Sequence, residues 1–64
     1  MNKFKENLKQ LRCQSNLTQG ELAKKLDVLE RSVSYWESGS RQCDFDTLIK
    51  IAKLFDVTID DLLL

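Results

Sequence analysis

Proline and histidine are both absent from this 64-residue chain, and glycine occurs only twice, at Gly20 and Gly39. Without proline, and without low-complexity tracts or repeats, nothing marks a linker, and residues 1–64 are expected to form one domain. Without histidine the chain loses the commonest general base and metal ligand. Ser32 and Ser34 then have no base beside them, which removes a nucleophilic-serine reading. Cysteine is scarce as well. Cys13 and Cys43 are the only thiols, so a four-ligand zinc site would have to recruit carboxylates. No metal, cofactor or enzymatic activity is expected. The first residues are charged and lack a signal-peptide pattern, so the two thiols are read as reduced and the protein as cytoplasmic. The residues alone leave any redox role for them open. No apolar run approaches the length that spans a bilayer.

Net charge is also lacking, since ten basic residues balance ten acidic ones. The balance hides an asymmetry. Residues 1–43 hold eight basic side chains against five acidic ones, and residues 44–64 hold two against five. One part of the molecule can therefore face phosphate while the other faces away.

Apolar residues recur at helical spacing throughout. Phe4, Leu8 and Leu11 predict an amphipathic helix over about 3–14, closed by Ser15-Asn16. Thr18 followed by Glu21 is a capping box opening a second helix. Its inner stripe is Leu22, Ala23 and Leu26, and Asp27 is the residue expected at positive φ. A third helix runs from Leu29 or Glu30 to Glu37, with Val33 and Trp36 inward and Gly39 as its left-handed terminator. Asp44 caps a fourth, whose stripe is Leu48, Ile51, Ala52 and Phe55. Thr58, with Asp61 three residues on, caps a short fifth; Ile59 and Leu62 point inward, with Leu63 beside them. The reading is all-α: five helices around one core.

The second and third helices form the informative pair. Both are about two turns long, few residues join them, and small Ala23 lies on the apolar side. Helices joined so tightly cross steeply, the geometry of a helix-turn-helix. Leu22, Leu26, Val28, Val33 and Trp36 would fill the angle. The other face of the third helix carries Glu30, Arg31, Ser34 and Tyr35. A helix anchored on one face, with long hydrogen-bonding groups on the other, can enter a major groove.

The run Leu17-Thr18-Gln19-Gly20-Glu21-Leu22-Ala23-Lys24-Lys25-Leu26-Asp27-Val28, followed by Val33-Ser34-Tyr35-Trp36-Glu37-Ser38-Gly39, resembles the phage lambda-repressor and Cro type of helix-turn-helix domain. The same domain occurs in small bacterial Xre-type regulators. The likeness extends to Leu11-Arg12 and to the stretch from Asp46 to Val57. It implies a five-helix domain, bacterial or phage-encoded, that binds double-stranded DNA to regulate transcription, with repression the first expectation. It implies that Glu30, Arg31, Ser34 and Tyr35 read bases, and that Gln19, Ser38, Ser40 and Arg41 meet phosphates. It also pairs Arg12 with Glu37. A protein-interaction module of the same fold, antitoxin-like or an adaptor, is the second reading, favoured by zero net charge, Glu30 and Leu29.

Five positions depart from the family pattern: Asp27 where glycine is usual, Leu29 where a capping Ser or Thr is usual, Glu30, which brings a negative charge toward the groove, Ser40 where lysine is frequent, and Cys43 where proline is common. The missing cap at Leu29 costs about 1 kcal/mol in the first turn of the third helix. The Leu62-Leu63-Leu64 end holds more apolar residues than one helical face can hide. Leu63 and Leu64 are therefore the expected contacts of a homodimer on a near-palindromic operator, with a frayed end or docking of a different protein as the alternatives. The operator sequence and any small-molecule effector are not encoded in a form that can be read.

Overall fold

The computed structural model describes residues 3–64. Five helices follow one another: α1 (Phe4–Gln14), α2 (Gln19–Leu26), α3 (Glu30–Ser38), α4 (Phe45–Phe55) and α5 (Ile59–Leu63), with no strand among the described residues. Each helix contributes to a single core. Phe4 and Leu8 come from α1, Leu22, Ala23 and Leu26 from α2, Val33 and Trp36 from α3, Ile51 and Ala52 from α4, and Leu62 from α5. Trp36 is thus a packing residue, as its spacing from Val33 implied. Leu48 and Phe55, expected in the stripe of α4, are half-buried at the margin of this core.

Local chemistry sets the boundaries. The Thr18 hydroxyl accepts the Glu21 amide at 3.1 Å, and Glu21 Oε1 accepts the Thr18 amide at 2.8 Å. These bonds, the Thr18 amide first, hold the Glu21 carboxyl below the ordinary carboxylate range. The folded value lies below the unfolded one. The contribution of this contact is therefore complete above the unfolded pKa and is lost as pH falls through the folded one. Thr58 and Asp61 repeat the reciprocal bonds at α5, at 3.0 and 3.1 Å. Asp44 differs from expectation: it has the extended cap backbone, but its side chain makes no capping bond. Its carboxyl is nonetheless held low, chiefly by the Thr47 side chain.

The helix ends use left-handed residues. Asn16 (φ 59°), Asp27 (φ 58°) and Asp56 (φ 56°) join Gly39 (φ 82°) in that region. Asp56 was not anticipated. It repeats the device at Asp27. In each case an Asp-Val pair ends the helix, and the valine amide returns to a carbonyl five residues back, Val28 to Ala23 at 3.0 Å and Val57 to Ala52 at 2.9 Å. Asp is among the residues that tolerate this conformation best after glycine.

The end of α5 is anchored. Asn7 Nδ2 donates to the carbonyls of Asp61 (3.2 Å) and Leu62 (3.0 Å), and the Lys3 amide donates to that of Leu63 at 2.8 Å. Three carbonyls that a helix end leaves without internal partners are thereby satisfied from α1 and from Lys3, the residue that precedes it. Cys13 is exposed and Cys43 half-buried, both as free thiols. Burial, with Asp44 nearby, pushes the Cys43 thiol up to about 11, so it stays protonated at neutral pH.

Asn7→Ala removes two side-chain bonds to α5 and is expected to cost about 1–2 kcal/mol. Amide exchange at residues 59–64 should accelerate well beyond that of α2. Uniform acceleration across the chain, or none, would show that Asn7 does not hold α5 in place.

Candidate nucleic-acid interface

The pairing of α2 with α3 rests on small and apolar residues at their crossing. Leu22, Ala23, Leu26, Val33 and Trp36 are buried, and Val28 in the connecting turn is half-buried. With one face of α3 so committed, the other is open. Glu30, Arg31, Ser34 and Tyr35 are all exposed along it. Leu29 starts α3 with an extended backbone and no side-chain cap. The first turn relies on its backbone, with the Ser32 amide on the Leu29 carbonyl at 3.0 Å.

The far end of α3 is held by a four-part polar contact. Arg12 Nε donates to Glu37 Oε2 at 2.6 Å and its Nη2 to Glu37 Oε1 at 3.1 Å. Arg12 Nη1 donates to the Leu17 carbonyl at 2.8 Å. Gln19 Nε2 adds a bond to Glu37 Oε1 at 3.1 Å. The side chains of Arg12 and Glu37 are only 13% and 4% exposed, so the pair lies largely out of water and each charge depends on the other. The Glu37 hydrogen bond raises the already high pKa of Arg12. The contact joins the last turn of α1, the turn after it, the first residue of α2 and the end of α3.

Gln19 therefore has a structural task that its sequence position did not reveal. One of its amide hydrogens is committed to Glu37, and one remains for an outside acceptor. Glu30 also sits differently from a side chain extended away from α3. Its carboxylate folds back over Gly20, with Oε1 3.0 Å from where a Cβ would be on that glycine. Gly20 leaves the space that this fold-back uses.

The loop after α3 is tightly organised. The Tyr35 carbonyl accepts the Ser38 hydroxyl (3.1 Å) and the amides of Ser40 (3.0 Å) and Arg41 (3.4 Å). The Ser38 and Ser40 hydroxyls are 2.8 Å apart. The Arg41 guanidinium lies over the Tyr35 ring, 5.0 Å from its centroid, a cation–π contact that orients the cation beside the open face of α3. Ser38, Ser40 and Arg41 thus form one exposed cluster next to Tyr35, and Gln19, at the start of α2, meets the same end of α3 through Glu37. Among the described residues, no group of three or more His, Cys, Asp or Glu could hold a metal ion, and no helix is long and apolar enough to cross a membrane. Leu63 is half-buried and packs on the core, while Leu64 is 81% exposed. The two leucines do not form an equivalent pair of surface contacts.

A sequence model described as helix-turn-helix matches residues 8–62. The HTH-type transcriptional activator BcrR of Enterococcus faecalis is 48% identical over 60 residues, which are 94% of this chain and 29% of that protein. The uncharacterised HTH-type transcriptional regulator YqaE of Bacillus subtilis is 45% identical over 60 residues, 94% of this chain and 52% of that protein. An HTH-type transcriptional regulator of Methanocaldococcus jannaschii is 41% identical over 59 residues, covering 92% of this chain and 89% of its own. The crystal structure of a transcriptional regulator from Listeria innocua superposes with a TM-score of 0.93 at 35% identity, over 98% of this chain and 59% of that one. The chain spans between 29% and 52% of the length of the first two relatives.

Glu37→Ala is expected to cost about 2–4 kcal/mol, because it leaves the Arg12 guanidinium largely buried without its counter-charge. The double change Arg12→Met with Glu37→Leu is expected to cost less than Glu37→Ala alone. Thermal or urea unfolding of the parent and the two variants decides. A double variant that loses as much stability as Glu37→Ala, or more, would show that the Arg12 charge does not depend on Glu37.

Proposed function

Since the chain belongs to the helix-turn-helix family of transcriptional regulators, we propose that it binds double-stranded DNA sequence-specifically and reads the major groove with α3. The observation that carries this is the exposed polar face of α3, fixed from behind by Trp36, Val33 and the Arg12–Glu37–Gln19 contact. Side chains on so rigid a support lose little freedom on meeting base edges.

On this reading Arg31 donates to a guanine edge, and Ser34 and Tyr35 contact neighbouring bases. Glu30 accepts from a cytosine amino group once its carboxylate leaves Gly20. Gln19, through its second amide hydrogen and the N-terminal amides of α2, meets one phosphate. Ser38, Ser40 and Arg41 meet another. Phosphate contacts set position, and base contacts set sequence.

A helix of nine residues is only about 13 Å long and reaches few base pairs. Two copies on a near-palindromic site would supply the missing specificity, with reading helices about 34–36 Å apart. Leu64 is the better candidate for the contact between copies, and Leu63 supports it from the core. Repression by site occupancy is the mode proposed; activation, which the name of the Enterococcus faecalis relative carries, is the alternative that a reporter gene separates. A second reading, a protein-docking module of the same fold, draws on exposed Phe45 (66%) and Leu29 (58%). It expects no retention on heparin or random duplex at low salt. The proposal assigns no cofactor, and its cellular place is wherever the DNA lies, the cytoplasm in a bacterium.

Selection from a random duplex pool is the test. A near-palindromic consensus is expected, and two proteins should sediment per duplex. Leu64→Asp should reduce this to one, with the helical content unchanged. Arg31→Ala should relax preference at one position with a loss of roughly 1–3 kcal/mol. Arg41→Ala should weaken all duplexes alike and lower the salt slope by about one. An asymmetric consensus bound by single molecules would remove the dimer. Equal losses for both arginine variants on selected and random DNA would remove the division of roles.

A further inference from the structure

Lys5 lies far from the helix-turn-helix in sequence, yet its side chain crosses the loop that ends α3. A Cβ on Gly39 would lie 3.0 Å from Lys5 Cδ and 3.5 Å from its Nζ. The φ of +82° at Gly39 is one that side-chain-bearing residues adopt only with strain, and the space beside this glycine is the path that Lys5 takes. Lys5 and Arg12 are seven residues apart, so they share a face of α1. Arg12 grips Glu37 in the last turn of α3, and Lys5 reaches past Gly39 just beyond it. The ion pair thus fixes the helix from which the lysine is delivered.

The ammonium has no carboxylate partner among the described residues, where Arg12–Glu37 is the ion pair present. In the chain, Gly39 is flanked by Ser38 and Ser40, with Arg41 next. The stretch Ser38–Gln42 holds no acidic residue. The turn that Lys5 crosses carries two hydroxyls and a guanidinium, and Lys5 adds an ammonium beside Gly39. Ser40 brings no charge of its own to that turn, and Lys5 brings one from another helix.

We propose that Lys5 is a further positioning residue for the bound duplex, holding the same backbone phosphate group as Ser38, Ser40 and Arg41. The proposal rests on the DNA-binding reading above. A purely structural role is the competing account, in which the cation offsets the negative end of α3. That role would appear in stability. A phosphate contact would appear in the salt dependence of binding.

The test compares the parent with Lys5→Met, which keeps an apolar stem over Gly39, and Lys5→Arg, which keeps the charge. Anisotropy of a labelled random duplex is measured from 50 to 200 mM salt, and melting temperature is measured in parallel. Lys5→Met should bind more weakly at 50 mM, and its salt slope should be smaller by about one. Its deficit relative to the parent should then shrink about 3.5-fold over that range, one contact's share of the salt effect. Lys5→Arg should restore the slope, and the melting temperatures should agree. A Lys5→Met slope equal to the parent's, with the parent binding normally, overturns the Lys5 proposal and leaves the DNA-binding reading intact. A lower melting temperature with an unchanged slope assigns the structural role instead. A parent that does not bind duplex at 50 mM overturns both.

Discussion

Everything presented by α3 depends on a buried carboxylate, Glu37, held by Arg12 and Gln19. A two-turn helix in a chain of 64 residues has little apolar surface with which to fix its orientation. Val33 and Trp36 seat one face, but apolar packing is non-directional and leaves sliding and rotation soft. The fork of Arg12 is directional. Two bonds to one carboxylate and a third to the Leu17 carbonyl set the angle between α1 and α3 and place the first residue of α2 against both. Once that junction is set, the turn after α3 falls under Lys5, and the open face of α3 is aimed.

The electrostatics then divide the surface in a way that net charge conceals. Cations from distant parts of the chain converge near the end of α3. Arg41 is oriented by the Tyr35 ring, and Lys5 is brought by α1. The acidic residues of α4 and α5 are partly consumed by local tasks. Asp61 caps α5, and Asp56 ends α4 in the left-handed conformation. Glu30 folds onto Gly20, which keeps one negative charge close to the start of α2. A neutral chain can thus carry a locally basic edge beside α3.

The helices were legible because their signals are local. The spacing of Phe4 and Leu8, the Thr18–Glu21 and Thr58–Asp61 boxes, Asp27 and Gly39 each act within a few residues, and each appears in the fold with its expected conformation. Asp56 was as legible as Asp27, since Phe55-Asp56-Val57 repeats the pattern of Leu26-Asp27-Val28; the comparison between the two helix ends would have found it. What sequence could not supply was long-range. Asn7 reaches carbonyls more than fifty residues away, Gln19 turns toward Glu37, and Lys5 passes over Gly39. No periodicity connects such positions, because they meet only after the helices pack. Leu63 and Leu64 show the same limit: adjacent and identical in type, they differ in burial because the last turn of α5 is pinned to α1.

The most direct test of the account is a nitrogen–proton NMR titration of the labelled protein with its selected duplex. Amide shifts are expected to concentrate at Gln19–Gly20, along Glu30–Tyr35 and through Ser38–Arg41. Those of α4, and the core positions Leu8 and Ile51, should change little. Shifts centred instead on Phe45, Leu54 and the outer side of α4, with α3 unperturbed, would contradict the claim that this helix-turn-helix presents α3 to the major groove.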